Sequence, residues 1–169
     1  MKKFVWVSIF ALSIMGSTGL KAADGISETT VESKATASVE LLGMGYLYSV
    51  FGSYKFIPEL AANVGISYIS VTSGSSTSST LGIPLSLSFL AGGTNNHYFE
   101  VLAGGSIFTT SSTVGSGLSG SLSGWVTTIG AGYRYWPKEG GLHFRATMYG
   151  FIKGGFFPWF GLSFGYAFS

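Results

Sequence analysis

Few side chains in this 169-residue sequence are suited to chemistry. His97 and His143 are the only histidines, Asp24 is the only aspartate, and there is no cysteine. A Ser-His-Asp nucleophile would have to take its acid from a polar segment near the N-terminus, and two histidines from separate turns make a poor zinc site. The glycine runs "AGGT" (91–94) and "GSGLSG" (115–120) lack both the lysine-serine pair and the following helix of a phosphate loop, so they read as turns. What remains is a set of charges on alternating segments: Glu100, Arg134 and Arg145, with Lys55 as the fourth. Charges withdrawn from water must be paired. The pattern therefore predicts an internal salt-bridge cluster with a structural role, a polar conduit or ligand pocket being the functional alternative. No catalytic residue, metal or cofactor is expected, and His97 reads as solvated in a turn.

The elements that must position these charges are strands. In "IPLSLSF" (83–89), Ile83, Leu85, Leu87 and Phe89 alternate with Ser86 and Ser88; in "IGAGYRYW" (129–136), Tyr133 and Tyr135 oppose Arg134 and Trp136. In "GLHFRATMYG" (141–150), Leu142, Phe144, Ala146 and Met148 oppose His143, Arg145, Thr147 and Tyr149. The last twelve residues, "PWFGLSFGYAFS", put Phe160, Leu162, Phe164, Tyr166 and Phe168 on one face and Trp159 with the small residues Gly161, Ser163, Gly165 and Ala167 on the other. No stretch keeps helical periodicity. Breaks at 57–59, 72–80, 91–97, 110–121, 137–141 and 153–158 leave runs near 46–56, 60–71, 82–90, 97–109, 122–136, 141–152 and 158–168. Most match or exceed the nine to eleven or so residues with which a tilted strand crosses a bilayer.

Charged residues make up only 9% of the chain and aromatics 16%, against about 25–35% charge on an ordinary soluble surface. Lys2 and Lys3, the apolar run 4–15 and the small residues of 16–23 read as an export signal over residues 1–22, the apolar run being too short for a spanning helix. Removing that signal leaves six basic against seven acidic residues, with no basic run, so nucleic-acid binding is not expected. Absence of cysteine excludes a lipid-attachment cysteine and a disulfide framework. Residues 23–36 read as a flexible periplasmic lead-in and 37–169 as the folded domain.

A dyad pattern suits either a soluble barrel or sandwich with its apolar face inward, or a membrane barrel with that face toward lipid. Here the faces opposite the apolar rows are mostly Gly, Ser, Thr and Ala. They suit a narrow interior better than a solvated exterior. The expected fold is therefore all-β, a single antiparallel up-and-down transmembrane β-barrel. Seven runs cannot close such a barrel, which needs an even number of strands. An eighth is expected at 37–42, with Gly43-Met44-Gly45 as an external turn; one long first strand over 38–56 is the rival. The same parity makes 72–80 and 110–121 external loops.

The stretches "VELLGMGYLYSVFGSYKF" (39–56), "NHYFEVLAGGSIF" (96–108), "GYRYWPKEGGLHFRATMYGFI" (132–152) and "FFPWFGLSFGYAFS" (156–169) resemble the small exported outer-membrane β-barrel proteins common in Bacteroidetes, mostly of unassigned function. The resemblance implies a β-barrel fold and an outer-membrane location in a Gram-negative cell, and it carries over no catalytic residues. The residues themselves predict a non-enzymatic, structural or surface-exposed role, with a largely plugged lumen. A binding or transport barrel for a small or lipidic ligand, or a soluble secreted ligand carrier, is the alternative. The resemblance also implies that Gly161, Phe164, Tyr166 and Phe168 form the terminal signal read by the barrel-assembly machinery, although the chain closes on Ser169 rather than on an aromatic. Outer-membrane lipid and that machinery are the expected partners of a monomer whose ligand is left open.

Overall fold

The computed structural model describes residues 32–114 and 118–169. The expected signal over 1–22 and most of the lead-in lie outside the described residues. Eight strands follow in chain order: β1 Ala35–Gly43, β2 Tyr46–Ile57, β3 Leu60–Ser73, β4 Ser76–Thr94, β5 His97–Val114, β6 Leu118–Tyr135, β7 Gly141–Ile152 and β8 Phe156–Phe168. Each pairs antiparallel with the next, and β8 pairs with β1 (Ala35 opposite Phe168, Leu41 opposite Leu162) to close the barrel. The fold is the one expected from the alternating runs. Closure satisfies every ladder hydrogen bond without leaving an edge in the ring.

The turns mark two ends. One, the terminal end, carries Pro58-Glu59, Asn95-Asn96 and residues 136–140, beside the start of β1 and the close of β8; the far end carries Met44-Gly45, Gly74-Ser75 and 153–155. At Asn95-Asn96 both residues have positive φ, 53° and 72°, the geometry of a two-residue hairpin turn whose twist matches the strands and which asparagine tolerates.

Three expectations are corrected. The first strand is a separate element, as expected, but it runs from Ala35 to Gly43 rather than 37–42. It starts earlier because Ser33 N–H donates to the Lys138 carbonyl and the Trp136 indole N–H to Ser33 Oγ, which ties the chain to the terminal end ahead of the strand. The rival single strand over 38–56 fails because the chain turns at Met44-Gly45. Segments 72–80 and 110–121 are largely strand rather than loop: β3 and β4 meet at a two-residue turn around Gly74 (φ 63°), and β5 and β6 extend to Val114 and from Leu118. Hydroxyls pair across these strands, Ser70 with Ser79, Thr72 with Thr77, Thr80 with Thr110 and Thr109 with Ser123, at 2.9–3.2 Å. Ser and Thr look like loop composition, yet β-branched Thr and cross-strand hydroxyl pairs favour a ladder. Since β2 pairs with β3 only as far as Val50 and Ile66, and β7 with β6 only as far as Ile152 and Thr127, the far parts of β3 to β6 rise beyond the ring as a four-stranded extension.

Side-chain burial alternates along the strands. Outward positions are aliphatic and aromatic and exposed, such as Leu87 (60%), Met148 (68%) and Phe164 (55%). Inward positions are buried and stack in three zones. Nearest the terminal end are Ala61, Leu90, Tyr98, Trp136 and Ala167; toward the far end are Met44, Phe51, Leu102, Val126, Tyr149 and Phe151. Burying each large apolar side chain contributes about 1.5–3 kcal/mol. Between the two apolar zones lie the charges.

Candidate functional site

The central zone is assembled from strands distant in sequence. Register sets the problem: Arg134 on β6 pairs directly with Arg145 on β7, two like charges side by side in the interior. Such a pair is destabilising unless carboxylates intervene. Glu100 of β5 meets Arg134 Nη1 at 3.0 Å and lies 3.9 Å from Arg145 Nη1. Glu40 of β1 takes the other side: Arg145 Nη2 donates to its Oε1 at 2.6 Å, and so does the Tyr149 hydroxyl at 2.6 Å. Two arginines and two glutamates thus balance in a site where none is more than 2% exposed.

Neutral polar groups add to it, while Glu100 Oε2, Arg134 Nη2, Arg145 Nε and His143 Nδ1 are buried without a hydrogen-bond partner among the described residues. Asn63 Oδ1 accepts from Arg134 Nη1 at 3.1 Å, while its Nδ2 donates to Ser86 and Ser88 hydroxyls at 3.1 and 2.8 Å. Arg134 Nε donates to His143 Nε2 at 2.9 Å, and since a guanidinium is always a donor, that ring nitrogen carries the lone pair. Ser163 Oγ donates to Glu40 Oε1 at 3.3 Å. Glu40 Oε2 accepts the Met44 backbone N–H at 3.0 Å, and Ser106 Oγ donates to the Met44 carbonyl, also at 3.0 Å. Those bonds draw the β1–β2 turn inward, which is why Met44 is fully buried although it sits in a turn.

The structure brings Glu100, Arg134 and Arg145 into one cluster but sets Lys55 apart. Lys55 Nζ lies 4.6 Å from the Trp136 ring centroid and Arg134 Cζ lies 4.3 Å from it, so one indole is close to both cations. Its partners are the Tyr98 hydroxyl at 3.4 Å and Glu32 at 3.6 Å. A cation over an indole is attractive, and Trp136 holds one close to its ring on behalf of each zone. His97 is at the start of β5 rather than free in a turn, exposed, with Nδ1 2.5 Å from the Tyr133 hydroxyl. Gly161 faces inward, where a side chain would run into Gly43 of β1 at the closing seam, whereas Phe164, Tyr166 and Phe168 face outward.

Sequence reasoning missed Glu40, Asn63, Tyr149 and Trp136 as members or supports of the cluster. The signal for Glu40 was present: it shares parity with Thr36 and Ser38 between the apolar Val39 and Leu41. Chemically, the arrangement binds its own charges. His143 Nε2 is occupied by Arg134, and among the described residues no group of three or more His, Cys, Asp or Glu side chains is placed to hold a metal ion.

A closed antiparallel eight-stranded barrel, apolar outside and polar within, is the architecture of small outer-membrane β-barrels. The chain is similar in fold to the N-terminal β-barrel domain of Pseudomonas aeruginosa OprF, with a TM-score of 0.58 and 18% identity over 82% of this chain and 98% of that one. It is also similar to Ail, the attachment invasion locus protein of Yersinia pestis, solved in complex with the heparin analogue sucrose octasulfate: TM-score 0.56, 13% identity, 81% of this chain and 99% of that one. No family model matches the chain, and no curated protein matches it significantly. Identity this low carries the fold alone.

Proposed function

We propose that the protein is a small integral β-barrel of a Gram-negative outer membrane, exported by residues 1–22, with a structural or surface-exposed and non-enzymatic role. The observation that carries this reading is the inverted polarity of the barrel. Its wall is apolar on every strand while its buried interior holds Glu40, Glu100, Arg134 and Arg145. A soluble ligand carrier needs the opposite arrangement, so that alternative loses its support. Arg134, Trp136, Tyr149 and Phe51 fill the cross-section from one apolar zone to the other, which argues for a plugged lumen rather than a solute pore. In this reading the cluster is a structural rivet, lipid and the barrel-assembly machinery are the partners, and the barrel is a monomer. The outward row Phe164, Tyr166 and Phe168, following the seam residue Gly161, is what that machinery would read. A lipid-binding barrel is the second reading, favoured by an apolar hollow of about 770 Å³ on the wall, where Ala103, Ala131 and Gly150 lie among Leu87, Phe89, Val101 and Met148.

The test is the electrophoretic mobility of the detergent-refolded protein, heated against unheated, with protease added in the presence and absence of vesicles. A heat-modifiable band protected by lipid is expected. A protein that folds in plain buffer, without a mobility shift, overturns the reading.

A further inference from the structure

At the far end the chain leaves a hollow of about 390 Å³, lined by Tyr46, Val126, Phe151, Lys153, Phe156 and Phe157. Val126 and Phe151 are inward residues of the far apolar zone, so the hollow is the mouth of the ring and that zone is its floor. The Tyr46 ring forms one side, its centroid 4.5 Å from that of Phe108 and 5.9 Å from that of Phe151. Strand β7 ends opposite Thr127, and in the turn after it the Lys153 N–H donates to the Gly155 carbonyl at 3.1 Å. That turn carries Lys153 to the opening. Its ammonium lies 3.0 Å from where a Cβ on Gly124 would stand, the next inward position beyond Val126 on β6. Glycine there leaves the space that the ammonium takes.

Lys153 is the only charged side chain at the far end among the described residues; the others belong to the terminal end or to the interior. It is exposed and forms no ion pair with a described residue. Besides the backbone, the Tyr46 hydroxyl is the one other polar group among the residues that line the hollow. This chemistry is selective. A divalent cation is repelled by the ammonium and finds no described carboxylate at this end. A sugar would set most of its hydroxyls against hydrocarbon without partners. A polyanion needs several cations, and a second copy of the chain brings a like charge to the same place. One negative charge on an apolar body meets both the cation and the rings.

We propose that the far-end mouth binds an amphiphilic monoanion from the aqueous side, a carboxylate with a short acyl body. The carboxylate pairs with Lys153, and the acyl body lies against Tyr46, Phe151 and Phe157. The hollow falls in the size range of small-molecule sites, about 300–1,000 Å³, and like them is mostly apolar with few polar groups to fix orientation. The proposal goes beyond the membrane reading and stands on the closed ring alone.

The experiment is calorimetric titration of the full chain, refolded in phosphatidylcholine vesicles at neutral pH, with octanoate and separately with octanol, each against empty vesicles. Saturable one-to-one binding of octanoate is expected, about fivefold tighter than octanol, the upper value for a partly exposed ion pair. Lys153→Gln should remove that advantage and leave octanol unchanged. Phe157 is 56% exposed, so Phe157→Ala strips a wall of the mouth without opening the core. It should weaken both ligands about tenfold while the heat-modifiable band persists. Octanoate heats no larger than those of empty vesicles, equal affinity for the two ligands, or affinity that survives either variant overturns the site. A chain that folds in buffer instead of vesicles overturns the membrane reading, and the same titration run in buffer then decides the mouth.

Discussion

Arg134 and Arg145 sit side by side on adjacent strands, and only carboxylates arriving from β1 and β5 make that register tolerable. Removing one partner of a buried pair leaves an uncompensated charge, which costs about 3–5 kcal/mol, more than the pair contributes over an apolar replacement. Arg145→Leu should therefore destabilise the barrel by about that amount by orphaning Glu40, read as a lower urea midpoint in vesicles. The double variant Arg145→Leu with Glu40→Gln should regain part of the loss, because the orphaned charge is gone. A single variant as stable as wild type would show that the cluster does not hold the barrel together.

At the scale of elements, the turns and extensions explain where pattern reading succeeded and where it slipped. Runs with clean alternation, such as 141–152, coincide with their strands because each apolar residue has one face to go to. The serine- and threonine-rich segments do not alternate in polarity, so composition alone marked them as loops; cross-strand hydroxyl pairs decide otherwise. In the Asn95-Asn96 turn the left-handed conformation is the determinant. Asn95→Val should lower stability by about 1–2 kcal/mol, the cost of that conformation for a side chain that cannot relieve it, whereas Asn95→Gly should leave the unfolding midpoint nearly unchanged. Equal midpoints for the two variants would mean the turn is not under that constraint.

For the whole molecule, the boundary that matters is between the ring and the extension beyond it. Val101 and Leu122 are both exposed apolar residues, but Val101 lies on the outer wall of the ring and Leu122 on the part of β6 that β7 does not accompany. Val101→Arg should cost about 2–4 kcal/mol in lipid, the depth-dependent price of a charge facing hydrocarbon. Leu122→Arg should be close to neutral in the same vesicle unfolding assay. Comparable losses at both sites would place the extension in lipid as well and redraw the membrane boundary.

By itself, the sequence determined the fold class, the turns at the terminal end and the polarity of each face of the ring, because a period of two forces every strand residue to one side and turn residues such as Asn95-Asn96 and Pro58-Glu59 act locally. It also named three of the four central charges, since Glu100, Arg134 and Arg145 fall on inward parity. Only the tertiary structure decided who pairs with whom. Glu40 joins Arg145 from 105 residues away because barrel closure sets β1 between β2 and β8 and brings it close to β7, and Lys55, placed nearer the terminal end, meets Tyr98 and Glu32 instead. The wall groove is equally invisible in one dimension: Ala103, Ala131 and Gly150 become a hollow only when register lines up three strands. Local preference acts within a strand, whereas charge pairing and surface shape depend on distances that exist only after the ring has closed.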